Sequence, residues 1–596
     1  MKRFVVMMLA CAAGLQTVSA ENTVGAENLY VKELVFPVSA DSLTRVAMAG
    51  RVVPTSQQLA WQQLELTAFL HFGMNTFTDR EWGDGTESPA LFLPDSLDTD
   101  QWVRELKNAG FKMVILTAKH HDGFCLWPTA TTAHSVASSP WRDGKGDVVA
   151  DLRKSCDKYG MKLGIYLSPW DRNAECYGDS PRYNDMFVAQ LTELLTNYGK
   201  IDEVWFDGAC GEGPNGKRQQ YDWPRFRETM RRLQPEAVLA ITGDDVRWVG
   251  NEGGVGRETE WSVTPLVPKT YAFADSVNAV FGLNEMSPSL GGSELISRAD
   301  RVFWWPSEVD VSLRPGWFYH DAEAPKPLSE LASIYLKSVG RNSVLLLNVP
   351  PDNHGRIAEA DVKRLRELRR WIDGSFSDNC LDRPASKINC VVIEEDITRG
   401  QRVEKFDVLA WRDGRDTIVA SGTTIGKKRI LSFDAAIVDS LSLNVRSSRG
   451  EPHAAITGAY NITMPETICD GTSEGFIPEG YKTLDCTIAR QPSEDSGKPR
   501  YIITLEHPAR VAGLIYLPDP EEGLLFNCTL VPRPGDTTAG DAAFTEFGNV
   551  AANPIPQKMI LENPVMTRQI EIVGESTPGK APALTSATLL ILTDEK

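Results

Sequence analysis

Between Leu64 and Pro351 the chain alternates short apolar runs with stretches in which apolar positions recur every three or four residues. The runs are TAFLHFG, KMVILTAKHHDGF, KLGIYLSPWD, EVWFDGA, VLAITGDD and SVLLLNVPP. Such near-continuous apolar segments predict strands buried on both faces of a parallel sheet. Between them, Asp98 to Ala109 carries Trp102, Leu106 and Ala109 on one helical stripe, and Asp147 to Tyr159 carries Val148, Leu152 and Cys156 on another. Both read as crossover helices. NAGFKMVIL, KYGMKLGIY and NYGKIDEVWF each place a glycine (Gly110, Gly160, Gly199) between a helix and an apolar strand, the expected C-terminal cap. About eight such units over roughly 300 residues fit an α/β fold of the (β/α)8 barrel type better than an open doubly wound sheet. No GxGxxG turn follows the first strand, which argues against a dinucleotide-binding fold.

After about Trp371 the texture changes. KFDVLAWRD, DTIVASGTTIG, KKRILSF and DSLSLNVRSS are short strand-like runs separated by Gly, Asp and Ser turns, and RYIITLEHPARVAGLIYLP, NCTLVPRP, RQIEIVG and SATLLIL repeat the pattern. Both groups predict β-sandwiches. The expected division is a signal peptide over 1–20, a catalytic barrel with an N-terminal extension over 21–370, one sandwich over 371–470 and a second over 471–596. DGTSEGFIPEG is the candidate linker between the sandwiches.

Composition agrees with several domains, since 596 residues exceed what one hydrophobic core ordinarily serves. Hydrophobic residues at 42% and charged residues at 24% describe a soluble globular chain. The net charge of -18 argues against nucleic acid or an anionic membrane surface as partner, because both reward Lys and Arg. Past the N-terminus no segment offers the ~18 uninterrupted apolar residues a membrane span needs. Lys2-Arg3, the apolar stretch Phe4 to Leu15 and Val18-Ser19-Ala20 predict a signal peptide and export to the periplasm or beyond the cell. Met8-Leu9-Ala10 before Cys11 leaves a lipoprotein as the alternative. The ten cysteines show no CxxC pair or metal-finger spacing. Cys125, Cys156 and Cys210 read as small core residues. Cys380 and Cys390 are the nearest pair in sequence, with no pairing assigned.

In such a barrel the site lies at the C-terminal ends of the strands. Three of the eight histidines, His71, His120 and His121, fall at the ends of the first and second predicted strands. Asp207 ends the fourth. An ionised carboxylate closing an apolar strand requires a partner or a task. Each residue also has a plainer reading: structural histidines, or Asp207 as a helix N-cap, although the following GACGEGPNG has the composition of a loop. His120-His121-Asp122 could form a metal site only if the strand has already ended, because neighbouring strand residues point to opposite faces. No metal or cofactor is therefore assigned. Trp82, Trp127, Trp170, Trp205, Trp248, Trp304, Trp305 and Trp317 crowd the same half of the chain. Aromatic faces stack on the C–H faces of sugars, and a neutral, hydroxyl-rich sugar suits a pocket of His, Trp, Tyr and carboxylates. Glycoside cleavage requires two carboxyl groups. For a partner to Asp207, DDVRWVGNEGGVGRETEW offers Asp244, Asp245, Glu252, Glu258 and Glu260. Binding backbone amides suffices to explain Asp244 and Asp245 at a strand end, whereas Glu252 stands in the glycine-flanked GNEGG loop.

LHFGMNTFTDREWG, AKHHDGFCLWPT, GIYLSPWD, EVWFDGA and LLLNVPPDNHG, in order from Pro54 to Ile357, resemble glycoside hydrolase family 29, the retaining α-L-fucosidases. The resemblance implies that Asp207 is the nucleophile and that His71, His120, His121, Tyr166 and Trp205 line the fucose pocket. It matches Glu81 and Trp82 to an acid–Trp pair contacting the sugar, and Trp317 in RPGWFYH to the aromatic wall below the fucose methyl group. RWVGNEGG resembles the branch acting on α-1,3/1,4-linked fucose, where the matching acid/base is Glu252, with Glu258 and Glu260 in reserve. The implied partner is a fucosylated oligosaccharide, with no metal or organic cofactor. Alternatives are a broader fucosidase that also cuts α-1,2 linkages, a non-catalytic fucose-binding barrel, and a metal-dependent hydrolase built on His120, His121 and Asp122. ITLEHPARVAGLIYLP and TEFGNVAANPIPQKMI resemble a divergent discoidin-type sandwich, to which no binding residues are assigned.

Overall fold

The computed structural model describes residues 29–30, 33–283 and 287–465, and beyond them the strand segments 481–484, 486–491, 500–516, 525–532, 545–547, 557–576 and 587–592. The expected signal peptide and the linker 470–480 lie outside the described residues.

Eight parallel strands close a barrel in sequential order: β1 (Leu66–Leu70), β2 (Met113–Lys119), β3 (Lys162–Leu167), β4 (Glu203–Phe206), β5 (Val238–Ile241), β6 (Val246–Trp248), β7 (Ser307–Ser312) and β8 (Val344–Asn348). Closure pairs Leu345 of β8 with Leu66 of β1. The apolar runs are continuous because both faces are buried. Val114, Leu116, Leu163, Ile165 and Val204 pack outward under the helices, while Phe69, Ile115, Tyr166, Trp205 and Leu346 fill the interior. Helices α1 (Thr99–Asn108), α2 (Val148–Tyr159), α3 (Ser180–Asn197) and α4 (Trp223–Leu233) follow β1 to β4, and α5 (Leu328–Ser338) and α6 (Glu359–Ser375) follow β7 and β8. Asp98 and Asp147 cap α1 and α2 by accepting from the Gln101 and Ala150 amides. Gly110, Gly160 and Gly199 all have positive φ, the left-handed cap their spacing predicts.

Two barrel strands escape the apolar-run pattern. β6 is three residues long and contains Arg247, and β7, SEVDVS, alternates carboxyl groups into the barrel. The β5–β6 connection is a tight turn over 242–245 with no helix. Asp244 there pairs with Arg231 at 2.8 Å and Arg227 at 3.1 Å, and Asp245 accepts from the Leu239 amide at 2.7 Å. Both carboxylates thus serve the turn. The N-terminal extension covers this stretch: Gln58, on the short helix Ser56–Gln62, donates to Asp245 O at 3.0 Å and Trp304 O at 2.7 Å.

After α6 come β9 (Ser386–Glu395), β10 (Val403–Arg412), β11 (Arg415–Gly422), β12 (Arg429–Val438), β13 (Ser440–Ser448) and β14 (Ala454–Tyr460). They form antiparallel sheets ordered β12-β9-β14 and β11-β10-β13, which share a core containing Ile388, Val391, Ile393, Phe406 and Val408. The described strands after Tyr460 form one seven-stranded antiparallel sheet with its own core around Tyr501, Ile503, Leu514 and Ile572. Cys125 and Cys156 are core residues as expected, but Cys210 is half-buried in a loop, its thiol donating to Gln219 O at 3.3 Å. Cys380 and Cys390 are free thiols. Among the described residues no helix is long and apolar enough to cross a membrane.

Candidate active site

The pocket opens at the C-terminal rim of the barrel. Asp207, the first residue after β4, accepts from the Tyr166 hydroxyl at 3.0 Å and the Ala209 amide at 2.7 Å. His121 Nε2 stands 3.9 Å from its Oδ2, and the side chain keeps 26% exposure toward the pocket. No helix begins at Asp207; the next, α4, is capped by Asp222.

Hydrogen-bond partners decide the form of two histidines. Asn348, at the end of β8, donates from Nδ2 to Ser312 Oγ at 2.8 Å and Trp317 O at 2.7 Å. Its Oδ1 therefore accepts, taking the His71 backbone N–H at 3.2 Å and Nδ1–H at 2.8 Å. His71 thus carries its proton on Nδ1 and presents Nε2 as an acceptor. Burial pulls its pKa down to about 3, the Asn348 bond opposing and His121 adding to the shift. The Ser168 hydroxyl donates to Trp170 O at 2.7 Å and so accepts from His121 Nδ1–H at 2.7 Å, again leaving Nε2 as an acceptor. Burial holds His121 below its ordinary value against the attraction of Asp207, and holds His120 well below, aided by His121 and His71. The pocket thus contains three neutral imidazoles.

β2 ends at Lys119, so His120 and His121 leave the strand and pack with ring centroids 4.1 Å apart. Asp122 takes no part with them. It accepts from the Phe124 amide at 2.8 Å, and burial pushes its carboxyl up to about 7.

Aromatic rings form the walls. Trp205 lies 5.3 Å from Tyr166 and 5.2 Å from Phe69, its indole N–H donating to Glu308 at 2.8 Å, so only its face remains for a ligand. Trp317 lies 5.0 Å from His71. Glu81 accepts from the Trp317 amide at 2.8 Å and the Phe318 amide at 3.0 Å, and His320 Nε2 is 2.9 Å from it. Burial opposes charge on His320, but the bonds to Glu81 and Asp79 outweigh it and carry its pKa up to about 9. Glu81 therefore anchors the loop that holds Trp317. Trp82 is 39% exposed at the mouth, its edge toward His121 and Trp170.

Glu252 lies on the turn after β6 and accepts from the Trp317 indole N–H at 3.4 Å. Its carboxyl is raised above the ordinary carboxylate range by lost solvation, then by the neighbouring charges of Asp310 and Asp207. The reserve candidates are occupied elsewhere. Glu258 pairs with Arg341 at 2.8 Å and with Arg429, and Glu260 with Arg257 at 3.1 Å and with Arg247.

Comparison with known proteins matches this architecture. The family described as Alpha-L-fucosidase matches residues 55–375. Alpha-L-fucosidase 1 of Arabidopsis thaliana is 41% identical over 458 residues, 68% of this chain and 87% of the plant protein. A Bacteroides ovatus crystal structure assigned to the α-L-fucosidases superposes with TM-score 0.71 at 48% identity, covering 95% of this chain and 100% of that one. A glycoside hydrolase 29 member from an unknown rumen bacterium follows at TM-score 0.63 and 35% identity, covering 91% and 99%. The chain belongs to glycoside hydrolase family 29, the α-L-fucosidases.

Beneath the pocket of this fucosidase lies a buried carboxyl floor that sequence reasoning missed. Glu203 accepts from Trp61 Nε1 at 2.8 Å, Glu308 from Trp205 Nε1 at 2.8 Å and Asp310 from Trp248 Nε1 at 2.8 Å. Glu203 Oε1 and Glu308 Oε2 are buried without another hydrogen-bond partner, burial raises both carboxyl groups, and each group shifts the other. A carboxyl–carboxylate pair sharing one proton accounts for that arrangement. The available signal was the alternation of SEVDVS, in which Glu308 and Asp310 both point inward. Asn348 and Ser168, which set the histidine tautomers, sit inside quoted motifs but show their role only through partners distant in sequence.

Proposed function

We propose that this fucosidase acts with retention on terminal α-1,3/1,4-linked fucose, with Asp207 as nucleophile and Glu252 as acid/base. The observation that carries the reading is the contrast between the two carboxyl groups. Asp207 receives two hydrogen bonds, which suits an anion, while Glu252 receives one long bond and sits half-buried among other carboxyl groups, which favours its proton.

An Asp207 oxygen attacks the anomeric carbon as the glycosidic bond breaks, and Glu252 transfers its proton to the departing oxygen. A covalent fucosyl-enzyme results. Glu252, now ionised, takes a proton from water, which attacks the same carbon, releasing fucose and restoring Asp207. Retaining enzymes hold the two groups about 5 to 5.5 Å apart. The Nε2 lone pairs of His71 and His121 suit sugar hydroxyl donors, and the faces of Trp205 and Trp317 suit its C–H surfaces. The linkage reading rests on the GNEGG segment around Glu252. Export rests on the N-terminal residues, and a mature protein beginning at Glu21 is its expected product.

The deciding experiment is a panel of α-1,2-, α-1,3- and α-1,4-fucosyl oligosaccharides, run with wild type and Asp207→Ala alongside 2-fluoro-fucoside trapping. Loss of turnover by roughly three orders of magnitude or more in a folded Asp207→Ala protein, and a label on Asp207 in the trapped wild type, are expected. A label on another residue sinks the nucleophile assignment, and equal rates on α-1,2 linkages sink the linkage assignment.

A further inference from the structure

The segment carrying Glu252 leaves the barrel after β6 and rejoins it at β7, and on the way it is bonded to the first β-sandwich. Thr423, just past β11, donates its hydroxyl to Glu258 O at 3.1 Å and accepts from the Thr259 hydroxyl at 2.9 Å. Arg429, the first residue of β12, donates to Glu258 O at 3.1 Å and to the Glu258 carboxylate. Gln401, ahead of β10, accepts the Ser262 N–H at 2.7 Å and donates to Glu260 O at 2.9 Å. Gln401 and Arg429 are buried. Losing Gln401 leaves the buried Ser262 N–H unpaired, and losing Arg429 removes a buried cation that pairs with Glu258.

The hold passes to Glu252 through the intervening residues. Arg341 pairs with the Glu258 carboxylate at 2.8 Å and donates to Gly256 O at 3.0 Å. The Gly256 N–H donates to Lys337 O at 2.7 Å and the Gly254 N–H to Asp310 O at 3.2 Å. Gly254 has φ +75°, and a Cβ there would stand 2.8 Å from Ile334 Cγ2, so the chain is pressed against α5. Asn251 closes the turn by donating to Val255 O at 2.9 Å and accepting from the Gly253 amide at 3.0 Å. The sandwich is itself bonded to the barrel where these contacts converge, Ile430 N donating to Gly340 O at 2.9 Å and Asn342 N to Lys428 O at 3.0 Å. Sandwich side chains therefore grip the backbone of the segment that presents Glu252, and do so largely through its carbonyl groups. Packing for stability alone requires no such grip.

We propose that the first β-sandwich is part of the catalytic apparatus, with Thr423, Arg429 and Gln401 acting as positioning residues that hold the Glu252 segment in place for proton transfer to the leaving oxygen. The inference rests on Glu252 as acid/base. A loosened segment delivers its proton badly, so leaving groups that need protonation suffer and those that leave unaided do not.

The test measures kcat/KM, which reports through bond cleavage, on an unactivated fucosyl oligosaccharide and on fucosyl fluoride or a dinitrophenyl fucoside. The variants are Thr423→Val, Arg429→Ala, Arg429→Lys and, as reference, Glu252→Gln, each with its melting temperature. A displacement of about 1 Å at a reacting group costs up to about a hundredfold. Arg429→Ala and Thr423→Val are expected to lower the unactivated rate by about ten- to a hundredfold while activated substrates stay within about twofold, and Arg429→Lys to recover part of the loss. If Arg429→Ala does not fold, Thr423→Val, an exchange of hydroxyl for methyl, carries the test. Equal losses on both substrates, or none on either, overturn the proposal and leave the sandwich a stabilising element. Selective loss in Glu252→Gln but in neither sandwich variant defeats the positioning alone. Equal loss on both substrates in Glu252→Gln removes the acid/base reading and the inference with it.

Discussion

Tyr166 and Asp207 meet across neighbouring barrel strands, the phenol of β3 donating to Oδ2 at 3.0 Å from just beyond the end of β4. Tyr166 is buried, and its proton is held firmly: burial, then the adjacent Asp207 charge, raises its pKa well above the ordinary phenol value. The phenol is thus a permanent donor to the carboxylate. A hydrogen bond to a charged group contributes about 1.5 to 3 kcal/mol, equivalent to about ten- to a hundredfold in rate if it is lost at the transition state. Tyr166→Phe should lower kcat by that amount with its melting temperature within a few degrees of wild type. A kcat within twofold of wild type would show that the bond does not orient the nucleophile.

The pH dependence of kcat/KM should report Glu252. Its raised pKa keeps the acid form present above the ordinary carboxylate range, and activity falls on the alkaline side as that proton is lost. After lost solvation, Asp310 is the largest cause of the shift. Burial raises Asp310 itself to about 8, so it and Glu252 titrate against each other; Asp310→Asn removes that competing ionisation, and the alkaline limb should move to lower pH. An unmoved limb in Asp310→Asn would mean that the limb belongs to another group.

The Glu203–Glu308 pair links stability to pH in a definite direction. Burial raises both groups, so the folded state keeps the pair's shared proton at a pH where the unfolded chain has lost it. Such groups contribute stability fully below the unfolded carboxylate value, and lose it as pH rises through their folded values. The melting temperature of wild type should therefore fall as pH rises from the ordinary carboxylate value of 4.5 toward about 8. Glu308→Gln can still accept from Trp205 and can donate to Glu203 without sharing a proton. Its melting temperature should fall less over that interval, and parallel curves for the two proteins would refute the shared proton.

Glu81 supports Trp317 through the Trp317 and Phe318 amides and His320. Glu81→Ala should therefore release the aromatic wall and weaken fucose binding by about tenfold, the scale of losing one or two such bonds. Competitive inhibition by fucose measures this. An unchanged inhibition constant would place Trp317 outside the sugar site.

Periodicity and local chemistry by themselves determined the barrel and its caps. Strands covered on both faces must be apolar throughout, helices covered on one must carry a stripe, and the turns at Gly110, Gly160 and Gly199 require positive φ. The two strands that stayed hidden are β6, only three residues long with a buried Arg247, and β7, whose interior groups are polar. Glu308 and Asp310 make β7 resemble a half-exposed strand, because their burial is balanced by Trp205, Trp248 and Glu203 from elsewhere in the barrel. Position at strand ends likewise marked His71, His120, His121 and Asp207. Their protonation did not follow from position, since His71 takes its tautomer from Asn348, 277 residues away in sequence. The same separation hid the fates of the nearby glutamates. Glu252, Glu258 and Glu260 lie within nine residues of chain, yet Glu258 and Glu260 meet arginines while Glu252 meets an indole and other carboxyl groups. Hydrogen bonding along the chain sets the elements; the charge state of a buried acid depends on what the closed barrel and its sandwich bring to it through space.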